Sequence, residues 1–242
     1  MIYGFTALHY GADYLAEAIR SVSSVVDKHY VIYTPKPSFG HGTKLTCPDT
    51  EEELRALAPD SVWIKRQFYN EGAQRDAIEQ YLPNDTDLVV VVDADEVYGP
   101  HVEDAVDNIM VLPQNKRCKR WRVRGFHHLW KSSHFVCTDA MDPIRFIDYR
   151  GTRNEYGAVW CPVLHFGYAQ SSDLMAYKWD IHGHKAELRK DYDWLKMYRE
   201  WKMDSCHDVH PTCVGIWDPK PFRPETIVPD IVDHPLFGKM RT

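Results

Sequence analysis

Asp93, Asp95 and Glu96 place three carboxylates within four residues, directly after the apolar run Leu88-Val89-Val90-Val91-Val92. Like charges this close are costly unless a cation or hydrogen-bond donors offset them. Hard divalent ions such as Mg²⁺ and Mn²⁺ take oxygen ligands and complete their shells with phosphate oxygens, so the cluster suits a metal–phosphate ligand. Alternate residues of an extended segment point to opposite sides, which gives Asp93 and Asp95 different tasks. A solvated acidic turn is the competing reading, because Asp-x-Asp arises often by chance. Its position at the end of a buried strand favours the functional one. Upstream, Asn70-Glu71-Gly72-Ala73-Gln74-Arg75-Asp76 sets a guanidinium and a carboxylate on the first turns of a helix. There the guanidinium can hold a pyrophosphate bidentately and the carboxylate can accept sugar hydroxyls. By itself the pair also reads as an exposed helical charge pair.

These groups need elements to position them. Ile2 to Leu8 is a short apolar run, and Leu15, Ile19, Val22 and Val26 then form one apolar helical face. Tyr30 to Tyr33 reads as a strand stopped by Pro35 and Pro37, and Thr50 to Glu53 is a capping box opening a short helix. Val62-Trp63-Ile64 is a third strand, and Glu71 to Leu82 a helix with Asn70 as N-cap. The run from Leu88 to Val92 has no polar alternation, as befits a strand buried on both faces. Strands alternating with helices imply an open α/β sheet, and in such sheets ligands bind beyond the carboxyl ends of the strands. That is where Asp93 begins. Further on, a helix is expected at about 101–112, a strand at Lys119 to Trp130, and helices at about 172–182 and 188–203.

The layout N-E-G-x-x-R-D, helix, V-V-V-D-A-D-E resembles glycosyltransferase family 2 within the GT-A fold. The stretch from Gln74 to Glu96 also resembles glycosyltransferase family 17. So does His165-Phe166-Gly167-Tyr168-Ala169-Gln170-Ser171, followed by Lys178 and His184-Lys185-Ala186-Glu187. The resemblance implies an α/β fold of the GT-A type: a Rossmann-like open mixed sheet flanked by helices, single-domain, with an extended C-terminal tail. Residues 1–205 would be the glycosyltransferase domain, split into a nucleotide-sugar half at about 1–98 and an acceptor half at about 99–205. Residues 206–242, rich in proline, would be a tail packed on the domain. The function implied is metal-dependent transfer of a sugar from a UDP- or GDP-sugar to an acceptor hydroxyl, with inversion. Thr6, Leu8, Tyr10, Thr34, Asn70, Gly72, Arg75, Asp76, Asp93 and Ala94 would contact the nucleotide-sugar. Asp93, Asp95, His184 and His165 would hold Mn²⁺ or Mg²⁺. Two positions depart from family 2. No acid follows the second strand, where Tyr33-Thr34-Pro35 stands, and the Glu-Asp pair that would supply the base is missing. The base therefore falls to Glu96, with Glu155 behind it.

Residues 116–131 hold seven Lys or Arg and no acid, and Arg120, Arg122 and Arg124 share one face of the strand. The bland reading is a solvated edge strand whose charges block aggregation. The functional one, with Trp130 alongside the three arginines, is a polyanionic acceptor: phosphorylated glycan, teichoic-type polymer or nucleic acid. The chain as a whole has 35 acidic and 29 basic residues, which argues against bulk attraction to DNA or anionic membrane. Six scattered cysteines, and no apolar run near the length of a membrane span, are expected of a cytoplasmic protein with free thiols. The compressed Cys206-to-Cys213 segment is a poor zinc motif. Two other functions compete: a nucleotidyltransferase, for which Ala7 to Gly11 supplies one glycine only, and a nucleic-acid-binding module using residues 116–131.

Overall fold

The computed structural model describes residues 1–37, 42–138, 141–203 and 207–242. The amino-terminal half alternates β1 (Ile2–Leu8), α1 (Leu15–Ser21), β2 (Lys28–Tyr33), α2 (Glu51–Leu57), β3 (Val62–Lys65), α3 (Glu71–Asp76) and β4 (Leu88–Val91). The strands lie parallel in the order β3-β2-β1-β4. Thr50 caps α2 through the expected box, and the Asn70 side chain accepts from Ala73 N–H at the start of α3. The expected helix from Glu71 to Leu82 is shorter: α3 ends at Asp76 and a 3₁₀ turn takes over.

The second half completes a mixed sheet. β5 (Glu96–Tyr98) and α4 (Val102–Met110) are followed by β6 (Cys118–Trp130), β7 (Phe135–Cys137), β8 (Ile144–Asp148) and β9 (Arg153–Tyr168). Then come α5 (Ser172–Ile181), α6 (Trp194–Glu200) and the short β10 (Lys220–Pro221). β8 inserts antiparallel between β4 and β6, while β9 runs parallel to β6 and pairs with β5. This is an open mixed sheet with a Rossmann-like parallel half and flanking helices, the GT-A-type layout expected. β9, sixteen residues long, is a strand the sequence reading lacks. It forms because Val159, Cys161 and Val163 face the core shared with Val90, Val92 and α4, while Tyr156, Ala158 and Trp160 face out. The expected helix at 188–203 reduces to α6.

Burial differs on the two faces of the sheet. Leu88, Val90 and Val92 point into the core beneath α1 and α4, and Val89 and Val91 into one shared with Tyr3, Phe5 and the residues after α3. Between Asp13 and the last residues run contacts that fasten the chain's end: Arg241 donates to Asp13 at 2.6 Å and His234 bonds the Asp13 carbonyl at 2.9 Å. No helix among the described residues is long and apolar enough to cross a membrane. Cys206 lies outside the described residues.

Candidate functional site

The site forms where β4 ends. Val92 N–H donates to Phe5 O and Val92 O accepts from Thr6, which ties the end of β4 to β1 and starts the turn at Asp93. Glu96 N–H closes that turn on Asp93 O at 3.0 Å. Arg75, in the last turn of α3, reaches Asp93 with an ion pair of 2.9 Å and a hydrogen bond of 3.1 Å. Arg145 comes from β8 on the same face of the sheet. It donates to Asp93 at 3.0 Å and to Glu96 through Nε at 2.7 Å, and its Nη2 pairs with the other Glu96 oxygen. On the far side of the turn, Asp95 has His165 and Lys178 each at 3.7 Å. Lys178, from α5, donates to Gly167 O at 3.1 Å, which anchors its ammonium beside the acid. A side chain at Gly167 would collide with the His165 ring, so the glycine lets that ring lie near Asp95.

The electrostatics follow from these neighbours. Burial opposes ionisation of Asp93, but Arg75 and Arg145 outweigh it and hold the carboxyl well below the usual range. Glu96 is fully buried, and that burial pushes it up to about 7 although Arg145 pulls the other way; Asp93 and Asp95 add to the rise. Burial also lowers His165 to about 4, so its imidazole is neutral near pH 7. His128 meets His165 at 3.0 Å between Nδ1 atoms, and burial takes it down to about 2.

One wall is aromatic. His9 donates from Nδ1 to Thr34 O at 2.8 Å, which leaves Nε2 to accept from the Tyr177 hydroxyl at 2.7 Å. Tyr10 meets Tyr177 edge-on at 5.8 Å and lies near Asp95 and Glu71. Gly11, at φ +135°, passes Ala94 closely, and its N–H and that of Ala12 are taken by Asp49 at 2.6 and 3.0 Å. The loop after β1 thus has two of its amides engaged by a carboxylate.

Several residues expected to line the site have other partners. Thr6 and Leu8 are fully buried, the first bonded to His29 and Val92 O, the second in apolar core; Thr34 is buried with its hydroxyl on Lys36 O. Ala94 is packed into the same core as Leu8. Asn70 is spent on capping α3, Gly72 is exposed on its first turn, and Asp76 is exposed without an ion pair among the described residues. Among the described residues no three of His, Cys, Asp and Glu gather closely enough to hold a metal. The expected set of Asp93, Asp95, His165 and His184 is therefore not assembled. Asp93 is occupied by two guanidiniums, and His184 stands on the exposed rim bonded to Glu187 at 2.7 Å. Glu96 has no exposed surface from which to act as base. Glu155 lies ten residues from His165 along β9, roughly 33 Å away, paired with Arg153 in solvent. Trp130 is fully buried among Tyr198, Trp194 and Trp201 and cannot meet an acceptor. Arg145, which no motif flagged, is the most connected cation of the site. Its only sequence signal is the alternation Ile144-Arg145-Phe146-Ile147.

Neither a family model nor a curated protein matches the chain. Among solved structures it is similar to a 4-diphosphocytidyl-2C-methyl-D-erythritol synthase from Anaerococcus prevotii. The identity is 11%, covering 73% of this chain and 95% of that one, with a TM-score of 0.40. It is also similar to an inositol-1-phosphate CTP transferase from T. maritima, at 7% identity, covering 82% and 96%, with a TM-score of 0.36. Likeness at this level concerns the arrangement of the sheet. One is named as the synthase of a diphosphocytidyl compound and the other as a CTP transferase, and neither as a glycosyltransferase. The expectation of glycosyl transfer is corrected on that finding.

Proposed function

We propose that the crevice binds a nucleoside triphosphate and transfers its nucleotidyl group. The observation that carries this reading is the convergence of Arg75, Arg145 and Lys178 on the turn from Asp93 to Glu96. Cations fixed beside this turn suit the phosphates of a nucleotide. Arg145 is saturated by Glu96 and Asp93 and acts as a strut. Arg75, 34% exposed, is the more open of the other two, with Lys178 more enclosed beside Asp95, and a guanidinium can grip two phosphate oxygens at once. The wall of Tyr10, His9 and Tyr177 offers the base a flat apolar side.

Transfer then requires an acceptor oxygen to attack the α-phosphorus while the bond to the bridging oxygen breaks and pyrophosphate leaves. Arg75 and Lys178 would offset the charge that accumulates on the departing pyrophosphate. Asp95 fits a Mg²⁺ carried in with the phosphates: its neighbours at 3.7 Å are too distant for hydrogen bonds, and such ions need only one or two carboxylates when phosphates supply the rest. Bound there, the ion would neutralise phosphate charge.

The test is a thermal-melt screen with CTP, UTP, ATP and GTP in Mg²⁺, paired with a pyrophosphate-release assay. At least one triphosphate should raise the melting temperature and release pyrophosphate when acceptors are supplied. Arg75→Ala should weaken that triphosphate's binding about tenfold to a hundredfold, as expected for a charge-assisted contact. If no triphosphate shifts the melt, or if Arg75→Ala binds it as tightly as the parent protein, the reading fails.

A further inference from the structure

The three arginines of β6 stand in an unexpected setting. β6 is not an edge strand: β9 pairs along its whole length, and β8 and then β7 occupy its other side. Protection against edge-to-edge association therefore cannot explain the charges. Arg120 lies opposite Tyr156, Arg122 opposite Ala158 and Arg124 opposite Trp160, and all six are exposed. Arg120 and Arg122 form no ion pair among the described residues, and Arg124 has only Asp142 at 3.9 Å. The Arg122 guanidinium sits 4.9 Å over the Tyr156 ring. Trp160 is 61% exposed, yet its ring is fixed from beneath. Gly125, at φ +92°, lies so close that a Cβ there would sit 3.3 Å from the ring.

We propose that this face of β6 and β9 docks single-stranded nucleic acid. Charge complementarity selects a polyanion, and the two exposed rings select one with unpaired bases. Successive arginines are about 6.8 Å apart along the strand, a spacing that an extended nucleic-acid backbone can follow phosphate by phosphate. Tyr156 and Trp160 offer π-faces to bases, the sequence-tolerant mode by which single strands are held. A duplex hides its bases and would use only the charges. The net charge of −6 makes the local excess more telling, since general attraction to polyanions is absent. The face stands independently of the nucleotide reading of the crevice.

Fluorescence anisotropy with a labelled oligothymidylate tests it, with duplex DNA and inorganic polyphosphate as the comparison probes. The parent protein should bind the single strand at low salt and more tightly than the duplex. Arg120→Gln/Arg122→Gln/Arg124→Gln should bind at least tenfold more weakly, and the slope of log affinity against log salt should become shallower by about 2, since each lost phosphate contact removes about 0.7. Trp160→Ala should weaken the oligothymidylate about tenfold and leave polyphosphate unchanged. The triphosphate-induced melting shift should be the same in all variants, which separates failure here from failure at the crevice. Absence of binding by the parent protein, equal affinity for duplex, unchanged affinity in the triple variant, or insensitivity to Trp160→Ala would each overturn the proposal.

Discussion

At the scale of single residues, Arg145 decides the site. It faces two carboxylates, is only 12% exposed, and pairs with Glu96, which is fully buried. Removing Arg145 leaves Asp93 short of a counter-charge and Glu96 short of its donors, both away from water. Arg145→Met should lower stability by about 3–5 kcal/mol in urea denaturation. The double variant Arg145→Met/Glu96→Gln should recover part of that loss, because Gln needs no counter-charge. A double variant no more stable than Arg145→Met would show that the pair is not what holds the turn. Arg75 differs: it lies at the crevice surface, with an exposed partner in Glu71, and its loss should be felt in ligand binding more than in folding.

At the scale of elements, α3 has only six residues, and a helix that short does not persist on propensity. Two contacts hold it. Asn70 caps its start, and the buried Gln74 side chain donates to Leu8 O at 3.0 Å and Ile32 O at 2.8 Å, bolting α3 to the ends of β1 and β2. Gln74→Leu should cost about 1–3 kcal/mol by removing two buried hydrogen bonds, Leu8 O keeping only its bond from Thr34 N–H, and it should weaken triphosphate binding by loosening Arg75. A Gln74→Leu protein with unchanged urea midpoint and unchanged ligand affinity would remove the bolt from the argument. The cap and the helix were legible in the sequence because both are local. The bolt was not, because a glutamine on a helix carries no sign of the strand ends it will meet.

At the scale of the whole molecule, buried histidines set the response to acid. Burial lowers His29 to about 4, His128 to about 2 and His165 to about 4. In the unfolded chain each takes a proton near its ordinary value, so folding stability falls as pH drops from about 6.5 toward those lowered values. Glu96, raised to about 7, acts in the opposite sense: its contribution is full below its ordinary value and is lost as pH rises toward 7. Three groups outweigh one. Urea denaturation should show a net loss on the order of 2 kcal/mol between pH 6 and pH 5. Stability that stays level or rises over that interval would contradict the burial of these rings.

The sequence by itself determined the local features: the buried strand delivering Asp93, the capped helix carrying Arg75, and the alternation that puts Arg120, Arg122 and Arg124 on one face. Each follows from a period of two or 3.6 read within one element. Tertiary structure decided what those features meet. Asp93 and Arg145 are 52 residues apart, and only the antiparallel insertion of β8 beside β4 brings them together. The same pairing ties two of the three carboxylates, Asp93 and Glu96, into a carboxylate–guanidinium network. The pairing of β6 with β9 makes the basic strand an interior one with an open face, and the packing of α5 and α6 buries Trp130. Such outcomes depend on which distant strand lies alongside, a choice made by the burial of all the strands together and not encoded in any one segment.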